Sequence, residues 1–196
     1  MGPKETINGI YELFLKVVDA VELERQSSLC SRSVFLDEAS RIILDVRKHQ
    51  TGLVLKLSQT GAIDPALLKY ATVPGHIERI CEYMENMNRA LSSRCNEGIR
   101  FSDKAMDEVN YLFEELKGIL LNTSGMLETG NFILAGHIKH AELAFSESAR
   151  EFAARHRERI EEGLCLPKAS SIYMDMLNSF MAIAWHSKEI MQELQG

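Results

Sequence analysis

Long helical periodicity, interrupted only by short turns, limits the fold of this chain more than any other feature of its sequence. Apolar residues recur at spacings of three and four, which is the period of one face of an α-helix. The four prolines and many of the twelve glycines lie between these periodic segments. The pattern therefore predicts an all-α protein.

Turn residues divide the chain into six predicted helices. Their expected bounds are about Glu5–Gln26, Val34–Gln59, Pro65–Ser92, Asp103–Glu128, Phe132–Glu162 and Ala169–Leu194. A polar break is expected over 27–33, and 60–62 is expected to end the second helix. The third helix is expected to kink or break at Pro74-Gly75, because a proline inside a helix removes a hydrogen bond. Ser102 is expected to cap the fourth helix, since a hydroxyl can satisfy free amides at a helix start.

The six predicted helices form two similar halves. Each half has a first helix, a tight polar turn, a long second helix that ends at glycine, and a third helix that starts near proline. The polar segment 93–101 separates the halves, which gives domains over residues 1–94 and 95–196. A repeat of about 100 residues is too long for a solenoid of short units. We therefore expect two tandem three-helix bundles made of six long antiparallel helices.

Composition and charge restrict the classes of function. A formal net charge of −6 opposes nucleic acid as a general partner and suits cations or a basic protein surface. The first residues lack the basic and apolar regions of a signal peptide, and no apolar run approaches the roughly 20 residues of a membrane span. We therefore expect a cytoplasmic protein. The four cysteines show no close pairing, so we expect them to be reduced.

An acidic stripe on the third predicted helix is the main candidate for chemistry. Glu78, Glu82 and Asn86 recur every four residues, so a helix places them on one face beside an apolar stripe. Two carboxylates give two ligands, whereas oxygen-bound cations take about six donors. On the second helix His49 falls at a position of the predicted apolar stripe, one turn after Asp45, and these two residues would complete a mixed set suited to iron, manganese, nickel or zinc. The alternative is a solvated face that is paired with its own arginines.

The sixth predicted helix is the main candidate for a protein interface. It is apolar around most of its circumference, so it must be covered on most sides. Bundle-to-bundle packing or a homodimer could cover it, and Phe180 and Trp185 are the predicted partner-binding residues. We expect no enzymatic activity, because the sequence has no catalytic-serine motif, phosphate loop or marked substrate cleft.

Several segments together resemble the PhoU family, including the PhoU-like domains attached to sodium/phosphate cotransporters. Segment 76–87 reads HIERICEYMENM and is similar to the family motif of the type LERIGDHAxNI. Segment 181–190 resembles a second copy of it. Residues 102–108 with 127–131 resemble the family pattern SxxAxxE…LxxGD. His156, Arg159 and Gly163 occupy the positions of HxxRLxxG.

The resemblance implies a regulator of phosphate transport or phosphate signalling that acts through protein contacts. Its expected partner is a phosphate transporter or a phosphate-sensing protein, so the cytoplasmic chain would reach the inner face of a membrane only through that partner. Many relatives bind iron or other metals through acid pairs on helix faces. Here Glu78 and Glu82 keep such a pair, but the second copy has Met181 and Trp185 at the matching positions. We therefore expect at most one divalent or iron-type metal, in the first half.

Two alternative functions, from other functional classes, remain open at this point. The acidic helix faces could belong to a metal store or a metal-dependent enzyme. The chain could also be a structural dimerisation module. Bound di-iron with turnover would favour the enzyme, and a metal-free protein that captures a transporter would favour the regulator.

Overall fold

A computed structural model of the chain describes residues 3–60, 65–131 and 133–195. These residues form six long α-helices and one short 3₁₀ helix, without a β-strand. The α-helices are α1 (Pro3–Cys30), α2 (Val34–Thr60), α3 (Val73–Asn96), α4 (Asp103–Thr129), α5 (Ile133–Glu161) and α6 (Pro167–Gln195), and the 3₁₀ helix is Pro65–Tyr70. The predicted all-α helical bundle is confirmed. None of the helices described is both long and apolar enough to cross a membrane.

The first helix is longer than predicted, and the expected break at 27–33 is wrong over its first four residues. Ser27 and Ser28 are fully buried within α1, where their small side chains fit a packed face. An arginine of α3, Arg94, donates from Nη1 to the Ser28 carbonyl oxygen over 2.7 Å, which satisfies an acceptor near the helix end. The helix ends before Ser31, whose φ of 53° leaves the helical region.

The break in the third predicted helix is confirmed, but it lies just before Pro74 and not at it. The 3₁₀ helix ends at Tyr70, and α3 begins at Val73 with Pro74 in its first turn. Proline fits there because first-turn amides have no acceptor within the helix. Gln50 of α2 donates to the Pro74 carbonyl oxygen over 2.9 Å. The predicted turn at 60–62 lies mostly outside the described residues, and so does Phe132.

Capping residues set the ends of α4 as predicted. The Ser102 side chain accepts a hydrogen bond from the Ala105 amide over 3.3 Å, so Ser102 is the N-cap. At the other end Gly130 has φ of 65° and donates its amide to the Met126 carbonyl oxygen. A left-handed residue there favours glycine, which has no Cβ. The non-helical link between α3 and α4 spans 97–102, so the predicted boundary after residue 94 falls in the last turn of α3.

The two halves meet through matching helices. In the first half α2 packs on α1 and α3, and in the second α5 packs on α4 and α6. Between the halves, α1 packs on α4 and α3 packs on α6. The first helix of one half thus packs on the first helix of the other, and the third packs on the third, as in a two-fold interface. Buried apolar side chains from all six helices form one continuous core.

Candidate functional site

A buried ion pair connects the two motifs of the second half. Glu108 of α4 is 5% exposed and accepts hydrogen bonds from both terminal nitrogens of Arg159 on α5, at 3.0 and 2.8 Å. This two-bond geometry is the strongest that arginine and a carboxylate can form. Ser102 starts the helix that carries Glu108, and Gly163 follows α5 with φ of 72°.

Tyr173 and His156 complete this cluster. The Tyr173 hydroxyl of α6 donates to Glu108 Oε2 over 2.6 Å, and the His156 ring stacks on the Tyr173 ring with centroids 4.4 Å apart. His156 is buried. Its Nδ1 lies 3.4 Å from an Arg159 terminal nitrogen, and its Nε2 has no hydrogen-bond partner among the described residues. The four side chains therefore join α4, α5 and α6.

Electrostatics keep the cluster in one protonation state near neutral pH. Burial alone would raise the pKa of Glu108, but hydrogen bonds from Arg159 and Tyr173 outweigh it, so that pKa lies below the ordinary range. Burial and the hydrogen bond to Glu108 raise the pKa of Tyr173 well above its usual range. Burial, then the Arg159 charge, lowers the pKa of His156. Glu108 is thus ionised, Tyr173 protonated and His156 neutral.

Contacts continue from the cluster into the first half. The Phe101 ring packs edge-on against Tyr173, with centroids 5.9 Å apart. The Arg94 guanidinium lies 4.8 Å from the Phe101 centroid and also binds the Ser28 carbonyl oxygen. A line of polar and aromatic contacts therefore runs from α1 through α3 and the link to α6. Glu108 and Arg159 are paired with each other, and Arg94 binds a backbone carbonyl oxygen, so these contacts connect α1, α3, α4 and α5.

The acidic stripe of α3 faces arginines. Arg47 of α2 binds Glu78 at 2.9 Å and Glu85 at 3.0 Å. Glu82 pairs with Arg79 one turn earlier on the same helix, at 2.8 Å. The side chain of Asn86 accepts a hydrogen bond from Arg89. Each predicted ligand of this stripe therefore already has a basic partner. This arrangement agrees with the alternative prediction, a helix face whose acids are paired with arginines.

Asp45 and His49 lie toward α1 and away from that stripe. Asp45 binds Lys16 of α1 at 2.5 Å, and His49 Nδ1 lies 3.2 Å from an Asp45 carboxylate oxygen. His49 is exposed, and the buried position of the predicted α2 stripe belongs to Gln50. The expected placement of His49 in the apolar stripe is therefore wrong by one residue, because position 50 and not position 49 faces the core between Val46 and Leu53.

The structure does not bring the five predicted metal ligands together. Arg47 separates the two groups, since it faces α3 while its neighbours two positions away, Asp45 and His49, face α1. Residues two apart on a helix point in nearly opposite directions. Within 3–60, 65–131 and 133–195, no group of three or more His, Cys, Asp or Glu side chains is arranged to hold a metal ion.

The two predicted partner-binding residues have opposite environments. Phe180 is 0% exposed and packs edge-on against Phe113, with centroids 4.7 Å apart. Its assignment to a partner surface is wrong, because the apolar face of α6 is covered by α3, α4 and α5. Trp185 is 44% exposed, with the Lys188 ammonium 5.6 Å from its ring centroid. Trp185 thus remains available for contact.

A polar groove of about 570 Å³ follows the contact between α3 and α6. Asn86 and Arg89 line it from α3, and Asp175 and Asn178 line it from α6. At its end Lys168 forms an ion pair with Glu97. At the opposite end of the two helices, His76 and His186 contact each other. Sequence reasoning missed this histidine pair, because the two residues meet only where the third and sixth helices pack on each other.

Comparison of the chain with models of known protein families and with curated protein sequences gave no match.

Proposed function

We propose that this protein regulates phosphate transport or phosphate signalling by binding a transporter or a sensor protein, without catalysing a reaction. The proposal starts from the resemblance to the PhoU family. One structural observation carries it: the resembling segments 102–108 and 156–163 contact each other through Glu108 and Arg159. Short motifs that match by chance would have no reason to form one buried cluster.

The character of that cluster supports a role through protein contacts. Glu108 accepts hydrogen bonds from both Arg159 and Tyr173 inside the bundle, so the three side chains connect α4, α5 and α6. The acids of the α3 stripe are likewise paired with arginines. Neither set leaves a free carboxylate beside a nucleophile or a base, as acid–base chemistry would need.

Exposed apolar residues at the turn between α5 and α6 supply a contact surface. Ile160, Leu164 and Leu166, here called the α5–α6 patch, are all exposed. Neighbouring apolar side chains on a surface are typical of protein interaction sites. The exposed Glu161 and Glu162 lie in the same segment, and the whole chain carries a charge of −6. We therefore assign to this patch a partner surface that is apolar and basic, with Trp185 as a second contact.

Affinity capture under high and low phosphate tests the proposal. The bait variants are Leu164→Ser/Leu166→Ser in the patch and Leu44→Ser/Leu55→Ser as a control on α2. Leu44 and Leu164 are both 69% exposed, and Leu55 and Leu166 are 59% and 70% exposed, so all four leucines are on the surface. We expect wild type and the control to capture a phosphate transporter or sensor, and the patch variant to lose it. Equal capture by both variants would reject the patch, and capture of no phosphate-related protein would reject the function.

A further inference from the structure

Two histidines from different halves meet ring to ring between α3 and α6. His76 Nδ1 lies 2.9 Å from His186 Nδ1, and the ring centroids are 5.2 Å apart. On its other side, His76 Nε2 lies 3.2 Å from a carboxylate oxygen of Glu193 on α6. The His76 side chain is 15% exposed, so the pair is largely shielded from water.

The distance between the two Nδ1 atoms requires one proton between them. Two unprotonated nitrogens would place two lone pairs face to face, and two protonated ones would oppose two N–H groups. With both rings neutral, His76 donates Nε2–H to Glu193, and His186 donates Nδ1–H to His76 Nδ1. One added proton makes His76 a donor on both sides, and His186 then carries its own proton on Nε2. The bond between the rings survives this step, but a second proton on the pair breaks it.

Charged groups of α3 and α6 act on the pair, and further charged groups lie on the neighbouring α5 and 3₁₀ helix. Arg79 and Glu82 lie on α3, and Glu189 and Lys188 lie on α6. Lys188 also faces Glu142 of α5 at 3.9 Å, and Lys69 belongs to the 3₁₀ helix that contacts α6. Burial first, then the His76 and Arg79 charges, lowers the pKa of His186 to about 4, while Glu189 and Glu82 act in the opposite direction. His186 is thus the ring that resists the second proton.

We propose that the proton shared by His76 and His186 is a latch between the two halves, and that protonation of His186 opens this end of the α3–α6 contact. Two direct contacts join α3 to α6 at that end: the hydrogen bond between the rings, and the contact from His76 to Glu193, which also fixes the ring orientation of His76. Once both rings are cationic they repel each other. The latch therefore holds through mild acid and opens in stronger acid, which would expose the adjacent part of the groove.

Trp185 is a built-in reporter for this change. It is the only tryptophan in the chain, and its ring centroid lies 4.8 Å from that of His186. A pH titration of its fluorescence, with far-UV circular dichroism at each pH, follows the latch and the helices separately. The test variant is His186→Gln, which keeps a polar side chain that does not titrate. The control is His140→Gln on α5, where an exposed histidine bonds to the Gly136 carbonyl oxygen of its own helix.

We expect wild type and His140→Gln to change fluorescence around pH 4 while helical signal persists, and His186→Gln to lose that change. Ring-¹⁵N spectra at pH 7 should show a proton shared by the His76 and His186 Nδ1 atoms, in conditions where acid unfolding plays no part. The same fluorescence transition in His186→Gln, loss of helix before any transition, or the absence of a shared proton would overturn the latch. An equimolar metal ion removed by EDTA with a change in these ring signals would also overturn it, because a metal would then bridge the rings.

Discussion

Glu108 and Arg159 form a two-bond ion pair inside the second half of the chain, although 51 positions separate them in sequence. Tyr173 adds a third donor to the same carboxylate. A pair of this kind is costly to break from one side, because the remaining charge stays buried without its partner.

Replacing Arg159 by methionine should therefore destabilise the protein strongly. We expect Arg159→Met to lower the free energy of unfolding by about 3–5 kcal/mol, measured by urea denaturation at pH 7. The same substitution at Arg155, whose pair with Glu151 is on the surface, should cost less than about 1 kcal/mol. The double variant Glu108→Leu/Arg159→Met should recover part of the loss, since no buried charge remains. Equal effects at positions 155 and 159 would contradict a buried pair.

The same pair should make the free energy of unfolding depend on pH. The pKa of Glu108 is lower in the folded protein than its ordinary value, so its stabilising effect is present above that ordinary value. The effect is lost as the pH falls through the lowered pKa. The difference in unfolding free energy between wild type and Arg159→Met should therefore shrink from pH 7 toward pH 3. A constant difference over this range would show that Glu108 does not supply the effect.

Glu24 should destabilise the folded protein at neutral pH. It is 0% exposed, and neither carboxylate oxygen has a donor among the described residues. Burial raises its pKa well above the ordinary value, so folding favours the protonated form and stability falls as the pH rises beyond the ordinary glutamate range. We expect Glu24→Met to stabilise the protein at pH 7 by roughly 1–3 kcal/mol in urea denaturation. Glu12→Met, on the exposed side of the same helix, is the control, and a loss of stability in Glu24→Met would show that the carboxyl has a favourable partner.

Arg47 should keep divalent cations away from the α3 stripe. Its guanidinium already binds Glu78 and Glu85, so a cation there would have to displace a positive charge. We expect metal analysis of protein purified without a metal-binding tag to find no equimolar metal in wild type or in Glu78→Ala/Glu82→Ala. Arg47→Gln should bind added Mn²⁺ more tightly than wild type. Equimolar metal in wild type that disappears from the double variant would restore the predicted metal site.

Phe180 and Trp185 should respond to truncation in different ways. Phe180→Ala removes a buried ring beside Phe113, which should cost about 3–5 kcal/mol of unfolding free energy. Trp185→Ala removes a ring that is nearly half exposed, so its loss of stability should be clearly smaller. Chemical denaturation of the two variants measures both. A similar loss for the two would mean that Trp185 is a structural residue and not an available contact.

Local signals in the sequence were sufficient to predict where most helices begin and end. Ser102 is followed by the pattern of a capped helix, and glycines follow α4 and α5 where a left-handed residue is needed. The run of serines at 27–33 was misleading, because a serine inside a helix and a serine in a turn look alike until burial is known. Ser28 is buried under the contact with Arg94, which is 66 positions away.

Helical periodicity could not predict which residues far apart in the sequence contact each other. Glu78 and Glu82 were correctly expected on one helix, but their arginine partners depend on how α2 is rotated against α3. Phe180 and Trp185 differ in burial because they are five positions apart on α6 and therefore lie on different faces of the helix. His76 and His186 are 110 positions apart and meet only because the third helices of the two halves pack on each other.

Phosphate uptake in cells that lack this chain tests the proposed regulatory role most directly. Initial uptake rates and phosphate-responsive expression should be measured in these cells under high and low phosphate, after return of wild type, Leu164→Ser/Leu166→Ser or Leu44→Ser/Leu55→Ser. We expect removal to change uptake or expression, and wild type and the α2 variant to restore it while the patch variant does not. Unchanged uptake and unchanged expression after removal would contradict the proposed function.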